Sequence, residues 1–145
     1  MQQLLQILVA GGDRRQQYAA QKLAKSPQLS VTTIGFSQSD SETLPEFDVL
    51  ILPIHTTAES VPSKNGNLSL PELLSHVKKG GLVCGGVLPE AVCRMCQEQE
   101  LCFCDYFQRE ELCLANAVPT VEGAIQIAIS ERETVLCGSS VLVIG

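Results

Sequence analysis

Short apolar segments, each long enough for a single β-strand, alternate with helical segments through the first hundred residues of this chain. The apolar segments are residues 4–10, 29–35, 47–52, 81–84 and 101–104. Strands that alternate with helices at this spacing form a mostly parallel sheet with helices on both faces and right-handed crossovers. We therefore predict an α/β fold of three layers, flavodoxin-like or Rossmann-like in type.

The helical segments combine apolar residues at helical spacing with start or stop signals, and they are residues 14–25, 71–80, 88–99 and 120–132. Asp13 stands where it would cap the first helix, and Lys78, Lys79 and Gly80 form a typical helix stop. Residues 36–46 and 53–70 are rich in Ser, Pro, Asn and Gly. Both are predicted to be surface loops.

Charge and cysteine content exclude several classes of protein. The 145 residues include 10 basic and 16 acidic side chains, a net charge of -6, which provides no basic field for nucleic acid. An uninterrupted apolar run of membrane length and a charged signal-type start are both missing, so we expect a cytoplasmic protein with no membrane partner. The seven cysteines are an odd number, which favours reduced thiols.

The last seven residues, SSVLVIG, have the composition of a buried strand that ends in a glycine. A terminal strand of this kind would leave apolar surface and backbone groups unpaired, so we expect the natural protein to continue.

Four stretches of the chain, LLQILVAGGDRRQ, VLILPI, NAVPTVEGAIQIAI and CGSSVLVIG, resemble the A subunits of dipicolinate synthase. In that family a segment like VLVIG opens a dinucleotide-binding motif, so Gly145 would be its first, cofactor-binding glycine. The resemblance implies an amino-terminal, substrate-side domain over residues 1–118. It further implies an interdomain helix and connection over 119–138, and the first strand of a truncated dinucleotide-binding domain over 139–145.

The resemblance also implies a function. The full-length protein would be an NAD- or NADP-dependent oxidoreductase that forms dipicolinate from a dihydrodipicolinate-type precursor during sporulation. Its cofactor would sit on the missing carboxy-terminal domain, with none in this fragment, which would not turn over alone. A small dicarboxylate substrate and a flavoprotein-like B subunit are the implied partners, and homo-oligomerisation is left open.

Two other classes of protein remain as alternatives. The first is a stand-alone flavodoxin-like module that binds a ligand or partner without catalysis. A signalling receiver would need an acidic pair after strand one and a lysine after strand five, where Gly11-Gly12 and Asp105 stand instead. A zinc-stabilised scaffold is the second alternative, because cysteines cluster between Cys84 and Cys104.

The turn after the first strand is the first candidate substrate site. Gly12, Asp13 and Arg14 open a predicted helix, where free N–H groups and the helix dipole favour an anion. A guanidinium from Arg14 or Arg15 suits a carboxylate. An ordinary glycine turn with a capping aspartate and solvated arginines would show the same residues.

Two further turns follow predicted strands, at the edge where open α/β sheets bind ligands. His55 is a candidate acid or base, and Thr56 and Thr57 are candidate substrate donors. Gly85 and Gly86 would let the backbone approach the substrate closely. A solvated histidine and a plain glycine turn are the simpler interpretations.

The start of the predicted interdomain helix is the last candidate region. Thr120 or Asn116 could cap the helix. Both are expected to line the substrate cleft, and Glu122, in the first turn, is a candidate for proton chemistry. A merely capped helix explains these residues equally well.

Four of the seven cysteines, Cys93, Cys96, Cys102 and Cys104, have a spacing that a zinc site could use. Their apolar neighbours instead favour small buried side chains, and we predict no metal site.

Overall fold

A computed structural model describes residues 4–36 and 44–144 of the chain. The chain divides into two compact units, Met1–Gln108 and Arg109–Gly145. The elements of the first unit are β1 (Leu5–Ala10), α1 (Arg14–Leu23), β2 (Leu29–Ile34), β3 (Phe47–Ile51), β4 (Ser60–Val61), β5 (Leu68–Ser69), α2 (Leu70–Ser75), β6 (Val77–Gly85), α3 (Glu90–Glu98), β7 (Cys102–Asp105) and a 3-10 turn (Tyr106–Gln108). The second unit contains α4 (Glu110–Ser130).

Five strands of the first unit form one sheet in the order β2-β1-β3-β6-β7, and every neighbouring pair is parallel. Leaving aside the small β4–β5 hairpin, this is the strand order 2-1-3-4-5 of flavodoxin-like folds. The chain runs from β1 outward to β2 and then returns to the other side of β1 with β3. The predicted α/β fold with a parallel sheet is confirmed.

Helices cover both faces of the sheet, as the alternating pattern predicts. On one face, Leu8, Leu50 and Val83 are completely buried in the same cluster as residues of α2 and α3. On the other face, Ile7 and Val9 pack in a cluster with Ala20 of α1. The alternation of buried side chains along β1 supplies both clusters, which is why its segment is apolar throughout.

The segment predicted as helix 71–80 ends sooner than its stop signal suggests. Helix α2 ends at Ser75, and β6 begins at Val77, a buried residue in register with Phe47. Pairing with β3 outweighs the local preference of the two lysines for a helix terminus, because it satisfies backbone groups beside the core.

The predicted loop over residues 53–70 also contains unexpected order. Strands β4 and β5 form a two-stranded antiparallel ladder, with Val61 opposite Leu68. Val61 is fully buried in the core, which anchors the segment. We call residues 56–69 the hairpin segment below.

The second unit differs from expectation in two places. Helix α4 begins at Glu110, ten residues before the predicted start at position 120, and contains Pro119 in its interior. Residues 139–144 form no strand, because within the described part of the chain they pair with none. The predicted domain limits at 118/119 and 138/139 stay predictions, and Gly145 lies outside the described residues.

Helix α4 is long and apolar enough to cross a membrane by length and composition alone. Its most apolar 18 residues have a mean hydropathy of 1.4, and none of that stretch is buried. Core helices of soluble proteins meet the same criterion, so this property is a weak indication of location.

Candidate functional site

The carboxyl ends of β1, β3, β6 and β7 meet at one edge of the sheet, because the strands are parallel and adjacent. The turns that leave this edge are residues 11–16, 52–56, 85–88 and 105–107, and we call them together the strand-end site. It includes the point between β1 and β3 where the strand order reverses. Open α/β sheets bind their ligands at such a point.

The turn after β1 is built from two glycines in the left-handed region, with φ of 61° at Gly11 and 85° at Gly12. The N–H of Gly11 donates to the Ile34 carbonyl at 2.8 Å, and that of Gly12 donates to the Pro62 carbonyl at 2.6 Å. A Cβ on Gly11 would overlap that same Pro62 oxygen. The amide proposed for anion binding at Gly12 is therefore already bonded to the hairpin segment.

Asp13 caps α1 as predicted, since its carboxylate accepts a hydrogen bond from the N–H of Arg15 at 2.8 Å. The Arg15 guanidinium also forms an exposed ion pair with this carboxylate at 2.8 Å. The hydrogen bond from the Arg15 side chain lowers the pKa of Asp13 below its usual value. Arg14 is exposed beside this pair, so the two arginines have different surroundings.

The turn after β3 places its polar residues in three different environments. His55 is exposed and adopts a left-handed conformation, with φ of 64°. The Thr56 side chain is buried, and its hydroxyl donates to the Pro53 carbonyl at 2.9 Å. The Thr57 hydroxyl accepts from the N–H of Ser60 at 3.0 Å. Both threonine hydroxyls are thus engaged within the turn and hairpin.

The glycines at the end of β6, Gly85 and Gly86, leave room for side chains of the protein itself. A Cβ on Gly86 would lie 2.6 Å from Cε2 of Tyr106 and 2.7 Å from Cγ2 of Ile54. A Cβ on Gly85 would overlap the Leu88 side chain. The close approach predicted at these glycines is therefore made by Tyr106 and its neighbours.

Tyr106 is the residue at this edge that the sequence pattern did not identify. Its hydroxyl donates to the carbonyl of Leu52 at 3.1 Å. Burial raises the pKa of Tyr106, and a hydrogen bond with the Gln16 side chain opposes that rise. Tyr106 therefore joins the ends of β3 and β7 to the first turn of α1. The strand-end rule applied to residues 101–104 would have identified it.

Asp105 organises the neighbouring turn with one carboxylate. Its Oδ1 accepts from the N–H of Val87 at 3.1 Å and of Phe107 at 2.9 Å, and its Oδ2 accepts from the N–H of Leu88 at 2.9 Å. Val87 has a positive φ of 56°, an unfavourable conformation for a β-branched residue. The two hydrogen bonds from Val87 and Leu88 hold the 85–88 turn in this conformation, and the third holds the turn after β7.

The structure brings together the candidates of the first unit, since a Cβ on Gly12 would lie 3.0 Å from Cβ of Pro53. Asn116, Thr120 and Glu122 instead lie exposed on α4, in the second unit. The predicted capping role of Asn116 or Thr120 is wrong, because the N-cap of α4 is Arg109. The Thr120 hydroxyl donates to the Asn116 carbonyl at 2.8 Å inside the helix.

Burial of the cysteines follows their elements. Cys96 on α3 is buried, whereas Cys102 and Cys104 are exposed because β7 is an edge strand. The expectation that the flanking apolar residues indicate burial is wrong for these two. Within residues 4–36 and 44–144, no group of three or more His, Cys, Asp or Glu could hold a metal ion.

Two open grooves lie at the opposite, amino-terminal part of the sheet and include Lys78 and Lys79. Lys78 forms an ion pair with Asp48 at 2.7 Å, and Lys79 forms one with Glu100 at 2.6 Å. Because these cations are already paired, we favour the strand-end site as the candidate functional site.

A five-stranded parallel sheet of this order, with its polar turns at the switch point, defines a Rossmann-like α/β domain of flavodoxin-like topology. A family model that describes the N-terminal domain of the dipicolinate synthase A subunit matches residues 6–107. The chain belongs to this family.

Individual relatives agree with that assignment. The dipicolinate synthase A subunit of Bacillus subtilis (strain 168) is 29% identical over 160 aligned positions, covering 97% of this chain and 53% of that protein. A crystal structure of the dipicolinate synthase A subunit from Bacillus halodurans has a TM-score of 0.79 at 22% identity, covering 94% of this chain and 52% of that one. The Bacillus subtilis A chain has a TM-score of 0.71 at 24% identity, covering 92% and 51%. The chain thus spans about half the length of these relatives, and the two structures support the fold.

Proposed function

We propose that this chain is the substrate-side domain of a dipicolinate synthase A subunit, which is an oxidoreductase that forms dipicolinate from a dihydrodipicolinate-type precursor. The observation that carries this proposal is the family match over residues 6–107, which includes almost the whole parallel sheet. A role in sporulation, a cytoplasmic location and partnership with a flavoprotein-like B subunit belong to the same proposal. Members of the family are subunits of an enzyme, so we expect this domain to contribute to catalysis.

The proposed substrate is a dianion, which needs positive or proton-donating groups in a chain of net charge -6. At the strand-end site Arg14 is the exposed guanidinium that is not paired with Asp13, and it lies in the first turn of α1, where the helix dipole favours an anion. The Gly12 N–H and the Thr56 hydroxyl already donate hydrogen bonds within the protein. Recognition is therefore proposed to rest chiefly on the Arg14 side chain, since the Tyr106 hydroxyl also donates within the protein, to the Leu52 carbonyl.

The nicotinamide cofactor is proposed to bind outside the first unit. A dinucleotide needs a glycine-rich turn whose backbone amides face its phosphates. The turn after β1 does not fit, because the Gly12 amide is bonded to Pro62 and the hairpin segment lies against Gly11. In a protein of the relatives' length, the other half would bind NAD or NADP. Gly145 would be the first glycine of its dinucleotide-binding motif. His55 and Glu122 stay the predicted acid–base groups.

Binding of dipicolinate to this 145-residue chain tests the proposal. We expect amide NMR signals of Arg14, Gln16 and Gly86 to shift on titration, and the Arg14→Gln variant to bind at least tenfold more weakly. Arg94→Gln is the matched control, because it removes the same charge from an exposed ion pair on α3. Equal affinity of both variants, or no shifts at saturating dipicolinate, would reject the proposed site.

A stand-alone flavodoxin-like binding module is the second candidate function, and the strand order 2-1-3-4-5 favours it. Flavodoxin-type phosphate binding needs a turn after β1 with free amides, which the Gly12–Pro62 hydrogen bond removes. Tight binding of flavin mononucleotide together with no response to dipicolinate would favour this second function.

A further inference from the structure

Two cysteines lie side by side on neighbouring strands at the edge of the parallel sheet. Cys84 of β6 and Cys104 of β7 are directly in register. Neighbouring strands are about 4.8 Å apart, and residues in register on parallel strands point to the same face of the sheet. Both are free thiols, with Cys84 half-buried and Cys104 exposed. The spacing of about 4.8 Å between the strands lies within the range of Cα distances that a disulfide spans, roughly 4.4–6.8 Å.

Cys102 and Cys96, two other cysteines of the first unit, are less suited to pairing. Cys102 and Cys104 are two positions apart on one strand, which separates their Cβ atoms by nearly 7 Å, beyond the reach of a disulfide. Cys96 is buried on α3, and burial raises the pKa of its thiol to about 11. That thiol is almost entirely protonated at neutral pH, and so it is a poor nucleophile.

We propose that Cys84 and Cys104 form a dithiol modification site, at which a low-molecular-weight disulfide produces a Cys84–Cys104 disulfide. The exposed Cys104 thiolate attacks one sulfur of the small disulfide, which releases one thiolate and leaves a mixed disulfide. The Cys84 thiolate then attacks Sγ of Cys104 and releases the second thiolate. The two protons lost by the cysteines are taken up by the two released thiolates, so one disulfide is reduced while one is formed.

Local structure supports this order of events. Burial, and secondarily the nearby Cys104, raises the pKa of Cys84, so the exposed partner is the one that meets the reagent first. Strand β7 pairs only with β6 among the described strands, which leaves it free to adjust while the bond forms. The new bond would join the residues that immediately precede Gly85 and Asp105. It would therefore fasten β6 to β7 at the strand-end site.

Oxidised glutathione, added to the reduced 145-residue chain, tests the proposal. We expect tryptic peptides 80–94 and 95–109 to be joined by a disulfide, and fragmentation of the linked peptides to place it between Cys84 and Cys104, since each peptide contains further cysteines. The Cys84→Ser variant should instead retain glutathione on Cys104. Cys104→Ser, a change at an exposed position, should prevent the cross-link even if the Cys84 variant folds poorly.

Cys102→Ser and Cys93→Ser are the matched controls, and both should form the same cross-link as the unsubstituted chain. A disulfide that joins other cysteines would overturn the proposal. So would a wild-type chain that keeps glutathione on Cys104 without closing the second bond.

Discussion

The Tyr106 hydroxyl donates a hydrogen bond to the backbone carbonyl of Leu52, 54 positions earlier in the chain, at 3.1 Å. Leu52 is completely buried directly after β3, whereas Tyr106 begins the turn that follows β7. The strand between them, β6, ends at Gly85, and the next residue, Gly86, has no side chain and so makes room for the tyrosine ring. One phenol thus connects the ends of three strands at the candidate site.

Replacement of Tyr106 by Phe should lower the free energy of unfolding by about 1 kcal/mol, the usual net value of one hydrogen bond. The ring would still pack on Gly86, so the fold should be retained. Urea unfolding measures the loss, and Tyr18→Phe is the control because Tyr18 is 65% exposed. If both variants unfold at the same urea concentration, the Leu52 hydrogen bond contributes no stability.

Asp105→Ala should destabilise the first unit by about 2 kcal/mol, because three backbone N–H groups lose a charged acceptor. Asp105→Asn keeps one carbonyl oxygen and should lose about half as much. Hydrogen exchange at Val87 and Leu88 should speed up in the same order. Glu90→Gln is the control, since its exposed ion pair with Arg94 is worth under about 1 kcal/mol; an Asp105 variant as mild as this control would contradict the assigned role.

Gly11→Ala should cost about 2–4 kcal/mol, because it combines a left-handed backbone with overlap at the Pro62 carbonyl. Gly80→Ala separates the two effects: Gly80 also has a positive φ, of 73°, but nothing lies within 4 Å of its missing Cβ. That variant should lose about 1 kcal/mol. Thermal unfolding compares the two, and equal losses would show that the hairpin segment does not press on the turn.

The Asp48–Lys78 ion pair should make stability depend on acid pH. The hydrogen bond from Lys78, followed by one from the N–H of Gln6, lowers the pKa of Asp48 below its usual 3.8. A carboxyl whose pKa is lower in the folded state stabilises the protein at pH values above its pKa in the unfolded state. That stability is lost as the pH falls through the pKa of the folded state.

Asp48→Asn should therefore be less stable than the parent at pH 7, by about 1 kcal/mol. The difference should shrink below about pH 4, where the parent also becomes protonated. Urea unfolding at several pH values measures it. A difference that stays constant down to about pH 2 would show that the Lys78 interaction does not act through ionisation.

Local sequence was sufficient for the elements whose signals and partners agree. Residues 4–10 are apolar at every position but one, and a strand buried on both faces was the consistent interpretation. The same reasoning failed at residues 77–80, where the two lysines resemble a helix terminus although Val77 pairs with β3. It also missed the β4–β5 hairpin, because a Ser- and Asn-rich segment shows nothing of the core position that Val61 occupies.

The candidate site was predictable only as a location. The strand-end rule correctly assigned Gly12, Thr56 and Gly86 to one edge, yet it could not show which of their polar groups were already bonded. Those bonds go to Pro62 and Pro53, and they depend on how the loops fold back over the sheet.

By itself, the sequence determined the α/β class, the parallel sheet and the family, because strand and helix periodicity and short motifs are local properties. Only the tertiary structure decided that Tyr106 and Asp105 organise the strand-end site and that Cys84 faces Cys104. Each of these relationships joins residues on, or directly after, different strands, and the register of the strands is set by packing of the whole core.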